Sequence, residues 1–227
     1  MTFSVAAVCP DTGHIGFAVT PSSVCVGARV GRIGKDCVVF SQARTDPRLH
    51  ASGLDSFACT NNVRAAIAAM RHAASALHWR QLGNLSRSGE AEYFTGDSCM
   101  PVRGGLAAEG CLALGNFLSS DDVLPAMLDA ASKSTSPLTE RLIAGLQAGV
   151  AAGGERDPLQ SAALCVLGDD DLVETDLRID KSQNPIDDLN LLWRDWGPKA
   201  AVYRLRALHP DDAPSSSDVE KASSPST

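Results

Sequence analysis

FSVAAV at residues 3–8 and HIGFAVT at residues 14–20 bracket the tetrapeptide Pro10-Asp11-Thr12-Gly13. Proline presets φ and glycine supplies positive φ, so the segment between the two apolar runs reads as a turn and the whole as a β-hairpin. A second stretch of the same form is the last hairpin of the chain. QSAALCVL (160–167) and LVETDLRI (172–179) are joined across Gly168-Asp169-Asp170-Asp171. Runs such as AALCVL carry no polar alternation, which is what a strand buried on both faces requires.

Between these hairpins the pattern continues in strands and helices that do not alternate one by one. VCVGARV (24–30) and CVVFSQA (37–43) read as short strands. A helix is expected from about Asn61 to Leu77, capped by Thr60 or Asn61. Val63, Ala66, Ile67, Met70, Ala73, Ala74 and Leu77 share one of its faces. WRQLGNL (79–85) and EAEYFT (90–95) form another hairpin, and CLALGNFL (111–118) a further strand. One helix opens at Ser120 or Asp121. A second carries Pro137 near its start and ends at Gly153-Gly154, and a last helix spans about Pro185 to Trp196.

Hairpins, a helix, strands, a helix pair, a hairpin and a helix are not the βαβ order of a doubly wound sheet. The order predicts an α+β fold in four layers, an αββα sandwich of two stacked antiparallel sheets flanked by helices. Residues 1–209 would form this domain. Residues 210–227, PDDAPSSSDVEKASSPST, are almost free of large apolar side chains and read as a disordered polar tail.

Composition narrows the function classes. The formal net charge of −7 over 227 residues, with scattered arginines, argues against a nucleic-acid or acidic-membrane surface. No apolar run reaches the roughly 20 residues of a membrane helix, and MTFSVAAVCPDTG has no basic n-region, so the expected compartment is the cytoplasm. The seven cysteines form no CxxC pair and read as reduced, mostly buried thiols. The five histidines share no ligand spacing with acids or cysteines, so neither a metal nor a cofactor is expected. Asp176, Arg178 and Asp180 fall on one strand face as a salt-bridge ladder suited to an interface, and a homo-oligomer is expected.

Several motifs, collinear from Thr2 to about Leu192, resemble the DUF1028 family, an uncharacterised group assigned to the N-terminal-nucleophile (Ntn) hydrolase superfamily. They are MTFSV, Thr12-Gly13-His14-Ile15-Gly16, SQARTDPR (41–48), RQLG (80–83), TGDSC (95–99), LGNFL (114–118), LTERLIAGLQAG (138–149), GGERDPLQSAALCV (153–166) and TDLRID (175–180). The sequence departs from the family's usual pattern at Leu114, at Glu155, where Asp is usual, and at Asp157-Pro158.

The resemblance implies a fold with an N-terminal nucleophile, and Thr2 is the residue for it. Removal of Met1 would leave an α-amine beside a hydroxyl. An amine with pKa near ~8 can accept the hydroxyl proton, making one residue both nucleophile and base. Oxyanion or substrate contacts are expected from Ser41, Gln42, Asn116, Gln160 and Ser161. A small amide or peptide is the substrate class this implies; the alternative is an inactive scaffold that binds a ligand or partner. The best-known Ntn hydrolases carry an acid at the end of the second strand, but here Thr20-Pro21-Ser22 stands there. Lys35 and Asp36 read as turn residues, so the sequence names no charge that tunes the nucleophile.

Overall fold

The structure is a computed structural model that describes residues 1–132 and 136–222. It is an α+β fold with two stacked sheets in which all strand pairs are antiparallel. The larger sheet contains β1 (Thr2–Val8), β2 (Ile15–Thr20), β7 (Arg103–Ala108), β8 (Cys111–Asn116), β9 (Ala162–Leu167) and β10 (Val173–Ile179) in the order β10-β9-β2-β1-β8-β7. The smaller contains β3 (Gly31–Ile33), β4 (Cys37–Ala43), β5 (Arg80–Ser86) and β6 (Ala91–Thr95) in chain order. Both expected terminal hairpins are present and lie in the larger sheet.

Strand alternation assigns the layers. Phe3, Val5 and Ala7 of β1 face outward onto α3 (Val123–Ser132) and α4 (Leu138–Ala151), where Met127, Leu142 and Leu146 are fully buried. Ala6 and Val8 of the same strand face the other sheet, packing with Phe17, Phe40, Leu85, Leu112 and Leu114. The outer face of the smaller sheet offers Cys37, Val39 and Leu82 to α1 (Leu49–Thr60) and α2 (Val63–Ala73). Helices therefore cover both outer faces, while α5 (Pro185–Leu208) lies against β10 and β9.

The differences from the sequence expectations have local causes. Residues 24–30 are not a strand. Cys25 turns to φ 59°, a short 3-10 turn spans Val26–Ala28, and the strand begins only at Gly31. The expected helix from Asn61 starts at Val63, because Asn61 ends α1 at φ 48° and Asn62 is the cap, its Oδ1 accepting from Ala65 N at 3.0 Å. Helix α5 runs through Pro198 to Leu208 instead of stopping near Trp196. Residues 210–222, expected within the tail, carry a 3-10 turn and helix α6 (Ser216–Ala222). Val219 of α6 is buried, and Glu220 reaches Lys199 of α5 at 3.0 Å; residues 223–227 of the expected tail lie outside the described residues. Among the described residues no helix is long and apolar enough to cross a membrane.

Candidate functional site

Thr2 begins an interior strand of the larger sheet. Its backbone pairs with Asn116 on β8, and on the other side Phe3 pairs with Thr20. Continuing that second register sets Thr2 beside Pro21 and Met1 beside Ser22. By alternation the Thr2 side chain shares the inter-sheet face with Ser4. Its hydroxyl folds back onto the carbonyl of Met1. Thr2 is 3% exposed, so the partial accessibility expected of a nucleophile is not met with Met1 in place.

Beneath Thr2 the two sheets meet through amides rather than hydrocarbon. Ser4 Oγ donates to Gln42 Oε1 at 2.9 Å, Gln42 Nε2 donates to Gln81 Oε1 at 2.7 Å, and Asn116 Nδ2 donates to the same oxygen at 2.9 Å. Gln81 Nε2 lies within 3.0 Å of Thr95 Oγ1, Gly104 O and Gly115 O, so its two N–H groups serve three acceptors. All four side chains are buried, and each donor atom among them gives at least one hydrogen to a partner, as a dry interior demands. Gln81, the hub, escapes a sequence reading because RQLG looks like an ordinary strand start.

The structure thus brings Gln42 and Asn116 together below Thr2 and leaves the other candidates elsewhere. Ser41 alternates to the helix-facing side of β4, where its Oγ accepts from Asp46 N at 3.1 Å, and its own N–H is given to Val30 O at 2.9 Å. Gln160 is exposed and donates through Nε2 to Ser22 O at 2.8 Å. Ser161 is buried, donating to Ser23 O at 2.6 Å and accepting from Val26 N at 3.2 Å. These two residues pin residues 21–26 to β9 rather than join the amide cluster. The positive φ at the end of β8 falls on Phe117 (65°), not on Asn116.

A further residue stands at this end of the sheet. The turn after α4 passes through Gly153 (φ 117°) and Gly154 (φ 61°) and bridges Glu155 to Leu118, just beyond β8. Glu155 is buried. Its Oε2 accepts from Ser22 N at 3.0 Å, and its Oε1 has no hydrogen-bond partner. Burial pushes its carboxyl up to about 7, against the pull of the Ser22 hydrogen bond and of the chain's own amine. Burial likewise lowers the Met1 amine, while the Glu155 charge acts to raise it. Ser22 touches both partners, its hydroxyl also lying 3.7 Å from Met1 Sδ. The sequence signal for this residue was the Gly-Gly pair before it, which a helix stop alone does not need.

Chemically the place combines a hydroxyl, a nearby amine, a buried carboxylate and a fixed amide cluster. No group of three or more His, Cys, Asp or Glu that could hold a metal occurs among the described residues. Fold and cluster define an α+β protein of two stacked antiparallel sheets whose polar interior gathers at the start of its first strand. The chain belongs to the family of unknown function DUF1028, whose model matches residues 2–189. It is similar to the crystal structure of protein SPO2555 from Silicibacter pomeroyi, described as DUF1028. That likeness has a TM-score of 0.79 at 33% identity and covers 85% of this chain and 88% of that one. No curated protein matches the sequence.

Proposed function

We propose that the chain is an Ntn-type amidohydrolase that uses Thr2 as nucleophile on a small amide or peptide once Met1 is removed. One observation carries the reading. Thr2 opens an interior strand, paired with Asn116 and on the face it shares with Ser4 of the buried amide cluster, and its nitrogen is held in the peptide bond to Met1. Cleaving that peptide bond would leave amine and hydroxyl side by side at the rim of the sandwich.

The neutral amine would take the proton of Oγ1 as that oxygen bonds to the substrate carbonyl carbon, whose π electrons move to oxygen. Collapse of this adduct breaks the C–N bond. The leaving nitrogen takes the proton from the Thr2 ammonium, and an ester on Oγ1 remains. Water then adds to the ester with the amine again as base, releasing the acid and restoring the hydroxyl.

A second reading has its own support. Gln81 Nε2 is committed to Thr95 Oγ1 and two backbone carbonyls, and Gln42 and Asn116 each give an amide hydrogen to Gln81 Oε1, a cluster engaged with itself that suits an inactive scaffold that binds a ligand or partner. Intact mass and activity separate the two. Protein verified to lack Met1 is profiled against a library of small amides and peptides, with Thr2→Ala as control. Turnover abolished by Thr2→Ala supports the nucleophile; turnover that survives it, or none in the whole library, favours the scaffold.

We further propose a homo-oligomer. Strand β10 is an outer edge of the larger sheet, and its Arg178 is held by Asp176 at 2.8 Å as a ready-made polar ridge. Light scattering at micromolar concentration checks it, and a monomeric mass rejects it.

A further inference from the structure

Two carboxylates are buried among the described residues, Asp46 and Glu155. Asp46 is spoken for: Arg48 Nε meets its Oδ1 at 2.9 Å and Arg48 NH2 its Oδ2 at 2.8 Å. Glu155 is not. One oxygen takes the Ser22 N–H and the other takes nothing, an arrangement that costs free energy unless a cation completes it. The local chain is built to keep it there. Gly153 holds φ 117°, a conformation side chains rarely adopt, so the turn that presents Glu155 favours glycine at that position.

The cation set against Glu155 is the chain's own amine. With Met1 in place the amine sits one residue outside the strand, faced by Glu155, Cys99 and Arg29, while Glu155 itself is faced also by Asp157. Removing Met1 moves the amine inward by roughly 3.8 Å, one residue along the chain. It then belongs to Thr2, which stands between Pro21 and Asn116 at the buried end of the strand. An amine there keeps its charge only beside a counter-charge. We infer that Glu155 is the counter-ion of the Thr2 amine in the Met1-free chain, a positioning residue whose open oxygen holds that amine against the Thr2 hydroxyl.

The inference rests on Thr2 being the mature N-terminus, as in the proposed function, but its test needs no turnover. Met1-free protein is labelled with [13C,15N]threonine, and the Thr2 Cα resonance is assigned as the one lost in Thr2→Ser. Its shift is followed from pH 5 to pH 10 in the wild type, Glu155→Gln and Glu155→Asp. A carboxylate partner raises an amine's pKa. Glu155→Gln should therefore lower the midpoint by about one unit, leaving roughly tenfold more neutral amine at pH 6. Glu155→Asp, which keeps the charge on a shorter arm and serves if the amide variant fails to fold, should fall below the wild type by a smaller amount. Coincident curves for all folded variants overturn the pairing and leave Thr2 free to be a nucleophile. Turnover that survives Thr2→Ala would remove the nucleophile and leave the pairing untouched.

Discussion

Gln81 Oε1 accepts from Gln42 Nε2 at 2.7 Å and from Asn116 Nδ2 at 2.9 Å, so one oxygen of the smaller sheet is shared between its neighbour strand and the facing sheet. A hydrocarbon in that place would leave both donors, and the carbonyls of Gly104 and Gly115, without their partner. Unsatisfied buried groups cost far more than the net worth of a made bond, so Gln81→Leu should destabilise the fold by about 3 kcal/mol. Urea unfolding measures it. A loss under about 1 kcal/mol would mean that the amides re-pair or that water enters the space.

Thiol reactivity tests the layer assignment. Burial pushes Cys37 up to about 11, and Cys111 and Cys165 up to about 12, since each sits in an apolar layer of the sandwich. At Cys9 burial also raises the thiol, but hydrogen bonds from Thr12 and Asp11 and the charge of Arg141 outweigh it and the net shift is downward. Iodoacetamide at pH 8 should label Cys9 together with exposed Cys25 and Cys59 in the native protein, and spare Cys37, Cys111 and Cys165. Peptide mass spectrometry reads the pattern. Labelling of Cys165 as fast as Cys9 would contradict the packing of β9 between β10 and β2.

What was legible follows from where periodicity is strong. The terminal hairpins and the paired helices α3 and α4 bury long apolar runs, and these were read at nearly the right places. Helix α1 was missed because LHASGLDSFACT buries little more than Leu49, His50, Gly53 and Phe57, and its Gly53 is there to admit Met70, not to pattern a face. Strand β7, RGGLAA, is a mostly exposed edge and carries no apolar alternation. At the site, Thr2 came from a resemblance. Asn116 and Gln42 came with it, as residues expected to make oxyanion or substrate contacts. Gln81 acts through partners distant in sequence, which no local pattern reports, and for Glu155 the Gly-Gly pair before it marks a special turn but not the Ser22 partner.

Glu155 should also govern how stability changes with pH in the chain that keeps Met1. Its folded pKa is raised from 4.5 to about 7, so between those values the folded state holds a proton that the unfolded state has released. Stability is therefore present at pH 4.5 and lost as pH rises through 7, by roughly 3 kcal/mol at full extent. The Met1 amine runs the other way: its folded pKa is lowered from 8.0, so stability rises with pH as that group titrates. Glu155→Gln removes the first effect. Going from pH 5 to pH 7.5 the variant should gain about 2–3 kcal/mol relative to the wild type in urea unfolding. Parallel pH dependence in the two proteins would show that the buried carboxylate is already compensated.

The two glycines before Glu155 should not be equivalent. Gly153 adopts φ 117°, where side chains are rarely found, and its Cβ would sit 2.2 Å from Ser119 Oγ. Gly154 adopts φ 61°, the left-handed region that other residues can enter, and its nearest neighbour would be Val150 Cα at 3.6 Å. Gly153→Ala should thus cost about 2–3 kcal/mol, and Gly154→Ala about 1 kcal/mol. The larger effect carries a second signature. If alanine at position 153 moves the turn, the Leu118–Glu155 bridge loosens, and Glu155 gains water and a more ordinary pKa. Gly153→Ala should then flatten the pH dependence between 4.5 and 7 as Glu155→Gln does, whereas Gly154→Ala should keep the wild-type slope. Equal losses for the two glycines, with both slopes unchanged, would mean that the turn does not set the position of the carboxylate.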